Sequence, residues 1–119
     1  MQARTFKTRW FAKAARKAQI NDDELCAAIR EVMQGLADDL GGGVYKKRLD
    51  RNRQRSIIVA KGRRFWVDAY LFAKQDRANI DDKELREFRE LARLYEQKAD
   101  SDISRELALG KPLEICHGD

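Results

Sequence analysis

The sequence predicts an α+β protein whose helices are segregated from an antiparallel sheet. Apolar residues recur at helical spacing in residues 9–40, strand-like runs replace them from Val44 to Ala73, and helical spacing returns after Asp81. The strand-like runs are joined by short connections, which favours antiparallel hairpins. A chain of 119 residues is long enough for one modest core, so residues 1–119 are predicted to form a single domain.

Two helices are predicted near the N-terminus. The first follows a possible N-cap at Thr8, and residues 4–7 before it are expected to form a short edge strand. Its predicted apolar stripe is Trp10, Phe11, Ala14, Ala15 and Ala18. The second follows the capping-box pair Asn21 and Glu24, and its apolar stripe continues to Leu40. The glycines at 41–43 are expected to end that helix.

Three strands are predicted next, with the sequences VYKKRL, SIIVA and FWVDAYLFA, and Gly62 is expected to supply the second turn. A helix then follows the capping-box pair Asp81 and Glu84. A shorter helix is expected from Asp102 to Leu109, stopped by Gly110 and Pro112, and the final LEIC is expected to add an edge strand.

Positive charge is concentrated in two segments. The net charge is +5, but residues 41–77 carry eleven basic and three acidic side chains, and residues 1–20 carry six basic and no acidic ones. This distribution favours a polyanionic partner such as RNA or DNA over a merely solvated basic face. Residues 21–40 and 78–119 are acidic; their helices are expected to be solvated faces or, alternatively, to contact a basic stretch of a partner.

The residue inventory excludes several classes of protein. No stretch approaches the roughly 20 apolar residues of a membrane span, and the basic N-terminus lacks the apolar region of a signal peptide. A cytoplasmic protein with no membrane association is therefore expected. Cys26 and Cys116 are then expected to be unpaired thiols.

Histidine and metal chemistry are disfavoured by the same inventory. His117 is the only histidine and lies near the C-terminus, which excludes a two-histidine ribonuclease. The acidic pairs at the helix starts are explained by capping, and the glycine triplet lacks the GK[ST] of a P-loop. No metal and no cofactor are predicted.

The basic residues of the predicted strands could support cleavage of RNA. Lys46 and Arg48 are two apart and so share a face, Arg55 opens the next strand, and Lys74 and Arg77 close the third. Such a cluster can cleave RNA by promoting attack of a 2′-OH on the adjacent phosphate. Arginine clamps phosphate oxygens, and a lysine among other cations can transfer a proton. A binding face without chemistry is the alternative.

Three segments carry a family resemblance. TFKTRWFAKAARKA, DDLGGGVYKKRL and YLFAKQDRANID together resemble RelE/HigB-type toxins of bacterial type II toxin–antitoxin systems, over residues from Thr5 to about Cys116. The resemblance implies a RelE-like fold, with two N-terminal helices packed on a twisted antiparallel sheet and a C-terminal helix. It implies an endoribonuclease that cleaves mRNA, often on the ribosome. It also implies a cognate antitoxin, often with a helix-turn-helix domain, through which the pair would bind operator DNA.

The resemblance assigns roles residue by residue. Arg48 and Arg55 are expected to clamp phosphate, and Lys46 and Lys74 to transfer protons or stabilise charge. Tyr70 is expected to stack on a base. The full predicted set comprises the catalytic residues Lys46, Arg48, Arg55 and Lys74, and the RNA-binding residues Lys47, Arg51, Arg53, Arg63, Arg64, Tyr70 and Arg77.

Two other functions stay open at this point. A ParE-like toxin would have the same fold and would inhibit DNA gyrase by binding, without cleaving RNA. The clustered basic set, which the resemblance implies such proteins lack, favours the nuclease. A plain RNA-binding module that is not a toxin is the third possibility.

Overall fold

A computed structural model of the chain describes residues 3–109 and 112–116. The elements are, in chain order, β1 (Arg4–Lys7), α1 (Arg9–Lys17), α2 (Asp22–Met33), β2 (Asp38–Gly41), β3 (Val44–Leu49), β4 (Gln54–Lys61), β5 (Phe65–Ala73), α3 (Asp82–Glu96), α4 (Asp100–Leu109) and β6 (Leu113–Ile115). The strands form one sheet in the order β2-β3-β4-β5-β1-β6. The predicted α+β class is confirmed.

Helices cover both faces of this sheet. Ile58 of β4 packs beside Ile29 of α2, whereas its neighbour Ile57 packs on the opposite face beside Phe88 of α3. Helix α1 joins α2 on the first face, because Phe11 shares a buried cluster with residues of α2. We call the face covered by α1 and α2 the α1/α2 face, and the opposite face the α3 face.

The first strand is not at the edge of the sheet. β1 runs parallel to β5 and antiparallel to β6, so the sheet is mixed and β6 takes the edge that was predicted for residues 4–7. The pairing of β1 with β5 ends at Lys7 and Asp68. Beyond Asp68, α1 replaces β1 as the neighbour of β5.

The second helix is shorter than its apolar pattern predicts. α2 ends at Met33, and Gly35 follows its C-cap with φ of 89°, a conformation that favours glycine. Leu36 is 56% exposed rather than part of the core stripe. Leu40 lies on the short strand β2 and packs on the α3 face. The expectation of a helix up to the glycine triplet was therefore wrong.

The glycine triplet instead turns β2 into β3 beneath α3. All three glycines have positive φ, and a Cβ on Gly42 would lie 2.9 Å from Cγ of Arg89. A Cβ on Gly43 would lie 3.1 Å from the carbonyl oxygen of Ala60. Glycine is required here because α3 and β4 approach the turn so closely.

The predicted helix N-caps are present. Thr8 accepts a hydrogen bond from the Phe11 amide, and Asp81 and Glu84 form a complete capping box. Asn21 accepts from the Glu24 amide, while the Glu24 carboxylate accepts from the Asp50 amide at 2.6 Å. Glu24 thus ties α2 to the β3–β4 connection.

The C-terminal elements follow the predicted order. The helix predicted from Asp102 begins two residues earlier, in α4, and LEIC supplies the edge strand β6. The bidentate pair between Arg4 and Glu114 joins β1 to β6, with N–O distances of 2.8 and 2.9 Å. Gly110 and His117 lie outside the described residues.

The cysteines form a disulfide, so the expectation of unpaired thiols was wrong. Cys26 and Cys116 are bonded with their Cα atoms 5.4 Å apart, although 90 positions separate them in sequence. Cys26 faces the core from α2, and Ile115 enters the same buried cluster from β6. The pairing of β6 with β1 is what brings the next residue, Cys116, over α2.

Candidate nucleic-acid interface

Basic residues of β3 and β4 meet aromatic residues of β5 on the α3 face, at the end of the sheet where β3 finishes and β4 begins. Pairing places Arg48 opposite Arg55, and Arg55 opposite Phe72. Two residues further along β4 on the same face, Ile57 lies opposite both Lys46 of β3 and Tyr70 of β5. Directly opposed side chains have Cβ atoms about 5 Å apart, so the four predicted residues among these lie close together.

The two central arginines differ in their surroundings. Arg48 is exposed, and among the described residues it forms no ion pair. Arg55 is only 8% exposed, and its Nη1 donates to the carbonyl oxygens of Asn52 and Gln54 at 2.9 and 3.1 Å. Arg55 therefore holds the β3–β4 connection, while its remaining donors can face a ligand.

The two lysines of the predicted catalytic set lie on either side of this pair. Lys46 is partly buried, with its Nζ 3.8 Å from a carboxylate oxygen of Asp38. Lys74 is exposed just after β5, and its amide donates to the carbonyl oxygen of Arg53 at 2.9 Å. That bond fixes the backbone of Lys74 against the β3–β4 connection.

Arg77 joins the aromatic part of the face. Its guanidinium lies 5.6 Å from the ring centroid of Phe72 and donates to the Tyr70 hydroxyl at 3.4 Å. It also pairs with Glu84 at 2.5 Å. The hydrogen bonds to Glu84 raise the pKa of Arg77 and lower the pKa of Glu84.

The β3–β4 connection has a constrained backbone. Asp50, Arg51 and Asn52 have φ values of 50°, 53° and 72°. Aspartate and asparagine tolerate this left-handed region better than most residues, but arginine does not. In this connection the side chains of Arg51 and Arg53 are exposed, and they line one depression together with Lys74.

Three predicted residues lie away from this cluster. Lys47 is on the α1/α2 face, where it pairs with Glu31 at 3.0 Å and donates to the Leu36 carbonyl. Arg63 and Arg64 are in the β4–β5 turn, about 20 Å from Arg55 by the rise of β4. There Arg63 donates to the Met33 carbonyl and Arg64 pairs with Asp100.

Trp10 was assigned wrongly to the core stripe of α1. Phe11 and Ala15 are buried as predicted, but Trp10 is 53% exposed. Its ring stacks on Tyr70, with centroids 4.9 Å apart and an interplanar angle of 23°. The contact depends on α1 lying beside β5 where β1 ends, which helical spacing alone does not reveal.

Asp68 was also missed, although it lies inside the longest predicted strand. It is fully enclosed on the α1/α2 face, where one carboxylate oxygen accepts from the Ser56 hydroxyl at 2.7 Å and the other has no partner. Burial raises the pKa of Asp68 to about 7. A polar residue in an apolar strand is the only sequence signal for it.

The described part of the chain has neither a metal-binding cluster nor a membrane-spanning helix. No group of three or more histidine, cysteine, aspartate or glutamate side chains is arranged to hold a metal ion among residues 3–109 and 112–116. Within the same ranges, every helix is too short or too polar to cross a membrane.

This arrangement can hold a phosphodiester. Arg48 and Arg55 lie directly opposite each other on neighbouring strands, and guanidinium donors match phosphate oxygens in geometry. Tyr70 lies on the same face and is partly exposed, whereas Phe72 is buried; an exposed aromatic ring can stack on an unpaired base. The α3 face at this end thus has the features of a nucleic-acid interface.

Comparison with known families identifies the class of protein. Residues 3–115 match the model of the RelE toxin of the RelE/RelB toxin–antitoxin system. The match covers nearly the whole chain, so this protein belongs to the RelE toxin family and is a toxin of a toxin–antitoxin system with an antitoxin partner. No curated protein matches the chain in sequence.

Proposed function

We propose that this toxin is an endoribonuclease that cleaves mRNA. The observation that carries the proposal is the direct pairing of Arg48 with Arg55, on the face that also holds Lys46 and Tyr70. Family membership supports the same activity, because RelE-type toxins generally cleave mRNA.

The proposed reaction uses the RNA's own nucleophile. The 2′-OH attacks the adjacent phosphorus, the P–O5′ bond breaks, and a 2′,3′-cyclic phosphate and a free 5′-OH result. Arg48 and Arg55 stabilise the charge that develops on the phosphate oxygens. Lys46 and Lys74 handle the proton that leaves the 2′-OH and the proton that reaches the 5′ oxygen. The reaction as proposed needs no metal ion.

The remaining predicted residues divide by position. Arg51, Arg53, Tyr70 and Arg77 border the cluster, so we assign them to binding of the RNA strand. Lys47, Arg63 and Arg64 act in this proposal only through the overall positive field.

The biological setting follows from the family. We propose that the substrate is mRNA on the ribosome in the cytoplasm, and that a helix-turn-helix antitoxin neutralises the toxin and links it to operator DNA. The acidic outer faces of α2 and α3 are proposed to be solvated.

Cell-free translation tests the activity directly. Purified protein is added with and without ribosomes, and mRNA ends are mapped by primer extension. We expect new ends at codon-spaced positions for the wild type and their loss in Arg48→Ala. Arg86→Ala serves as the matched control, because Arg86 is an equally exposed arginine on α3 without a described ion pair.

Intact mRNA with normal translation would contradict the proposal. The protein would then be tested for inhibition of DNA supercoiling by gyrase, the activity that a ParE-like toxin has. Arg48 matters for that outcome as well, because loss of gyrase inhibition in Arg48→Ala would assign the same face to protein binding.

A further inference from the structure

A basic groove borders the candidate site on its outer side. One part, of about 720 Å³, lies between α1 and the second half of β5, beyond the point where β1 stops pairing with it. Its lining includes Trp10, Lys13, Lys17, Tyr70 and Arg77. A second part, of about 700 Å³, continues below the β3–β4 connection. The two parts share Ala18, Gln54, Ala73 and Gln75, so they form one surface.

The charge of this groove is mostly uncompensated. Its lining includes six basic side chains, namely Lys13, Lys17, Arg51, Arg53, Lys74 and Arg77, and two acidic ones, Asp50 and Asp76. Within the described chain, Lys13, Lys17, Arg51 and Lys74 form no ion pair. Asp50 is already engaged, since it pairs with Arg53 at 3.1 Å. The groove therefore presents free cations to a ligand.

An aromatic platform lies in the same groove. Trp10 stacks on Tyr70 and keeps 53% of its surface exposed. Phe88 and Phe72 support Tyr70 from the other side, with ring centroids 6.2 and 5.9 Å away. An exposed ring on a fixed stack can receive an unpaired base at little cost in conformational entropy.

The groove and the catalytic cluster share a boundary. Phe72 lines the groove and lies directly opposite Arg55 in the sheet. An RNA strand whose phosphate rests between Arg48 and Arg55 and that continues past Phe72 would meet the groove as its next basic surface.

We infer that this groove is a second subsite for single-stranded RNA, in which Trp10 stacks on a base flanking the cleaved bond and Lys13 and Lys17 contact the phosphates beyond it. The inference extends the proposed nuclease function and rests on it for the identity of the strand. It assigns a binding role on α1 to Lys13 and Lys17, and to Trp10, which the sequence pattern had placed in the core stripe of that helix.

Binding of an uncleavable RNA tests this subsite. The probe is a fluorescein-labelled oligouridylate with 2′-O-methyl groups at every position, followed by anisotropy. We expect Lys13→Gln/Lys17→Gln to weaken binding about tenfold and to reduce the slope of log K against log salt by about 1.4. Arg86→Gln/Arg105→Gln, with two exposed arginines removed elsewhere, should bind within twofold of the wild type.

The aromatic contact has its own pair of variants. Trp10→Ala should weaken binding about tenfold, whereas Trp10→Phe should restore most of the affinity because it keeps a stacking ring. Wild-type tryptophan emission should fall when RNA binds. Trp66 is 2% exposed, so the change should disappear in Trp10→Phe.

The outcomes separate this inference from the nuclease proposal. Wild-type affinity in both the lysine and Trp10→Ala variants would overturn the subsite, whether or not mRNA is cut. Equal competition by poly-L-glutamate and by unlabelled RNA of the same charge would also overturn it and would assign the groove to an acidic protein. Weakened RNA binding in those variants, with no cleavage by the wild type, would support the groove as a binding site for single-stranded RNA and would remove the nuclease, and with it the cleaved bond beside that site.

Discussion

Both ends of the central hairpins carry basic residues but use them differently. At the β4–β5 turn, Lys61 and Arg64 both pair with Asp100, and Glu96 accepts from the Gly62 amide at 2.8 Å. At the other end, Arg48, Arg51 and Lys74 are exposed and, among the described residues, form no ion pair. We call these the closed end and the open end.

The difference comes from where the C-terminal helices place their acids. The end of α3 and the start of α4 lie over the closed end and supply Glu96 and Asp100. The open end faces the start of α3, where Glu84 is occupied by Arg77 and by its own capping box. Cations at the closed end therefore stabilise the fold, and those at the open end remain available for a polyanion.

Exchanging arginine for alanine at each end should give the largest contrast. Arg48→Ala should lower the rate of mRNA cleavage about 10²- to 10³-fold, because it removes charge stabilisation from the transition state. The Arg64→Ala variant should cleave mRNA at close to the wild-type rate. Both rates are measured by primer extension at equal protein concentration. Equal losses in the two variants would mean that the ends are not functionally distinct.

Arg55→Ala is a less clean test than Arg48→Ala. The buried Arg55 guanidinium holds the carbonyls of Asn52 and Gln54, so alanine would also release the β3–β4 connection. Loss of cleavage in Arg55→Ala could come from the missing phosphate contact or from the released connection. Arg48 forms no ion pair with a described residue, so loss of cleavage in Arg48→Ala points to the phosphate contact.

Asp68 marks the boundary between the two halves of β5, since β1 stops pairing there. Its carboxyl has a pKa of about 7 in the folded protein against 3.8 for the unperturbed group, so between about pH 4 and 7 the folded state holds the extra proton. Raising the pH through that window should lower the free energy of unfolding by at most about 1.4 kcal/mol per pH unit. Above pH 7 this contribution should level off.

Asp68→Asn checks the assignment by urea denaturation across the same pH range. The neutral amide cannot ionise, so the fall in stability between pH 4 and 7 should shrink. Ser56→Ala, which removes the hydrogen bond to the Asp68 carboxylate, should keep the fall. An unchanged pH profile in Asp68→Asn would show that another group causes it.

Freeing the cations of the closed end should make it behave more like the open end. Asp100→Asn leaves Lys61 and Arg64 without their carboxylate partner, and RNA affinity should rise about threefold at low salt as the positive field grows. The cleavage rate at saturating RNA should not change. Asp102→Asn removes an exposed acid from the same helix and measures the effect of net charge alone. An equal rise in both variants would argue against a specific role for Asp100.

Local patterns explain which parts of this protein were predictable. The three long strands and their order follow from alternation and short connections, so Arg48 and Arg55 could be assigned to one face. The end of α2 was not predictable in the same way, because the stripe continues past Gly35 to Leu40. The helix ends earlier because residues 38–41 pair with β3 and Leu40 packs, partly buried, on the α3 face, which is a tertiary effect.

Long-range pairing accounts for the other errors. The parallel pairing of β1 with β5 crosses about half of the sequence, and it determines both the internal position of β1 and the place where α1 brings Trp10 onto Tyr70. The same strand positions β6, and with it Cys116 against Cys26. Neither contact has a signature in the spacing of nearby residues.

The strained β3–β4 connection gives the smallest predicted effect. Arg51 has φ of 53°, a conformation that costs a non-glycine residue about 1–2 kcal/mol. Arg51→Gly should remove that strain but lose about 0.5–1 kcal/mol through the more flexible unfolded chain. The net result should be a gain of about 0.5 kcal/mol in the free energy of unfolding, measured by urea denaturation, and weaker RNA binding.

Arg53→Gly is the matched control, because Arg53 is exposed in the same connection and is not among its residues with positive φ. It should lower the free energy of unfolding, since glycine there adds unfolded-state entropy, removes the exposed ion pair with Asp50 and relieves no strain. Opposite signs for the two variants would mean that the open end keeps a strained arginine at a cost in stability. A loss of stability in both variants would mean that Arg51 is not strained. The conformation of Arg51 would then be no evidence that the open end keeps this arginine for function.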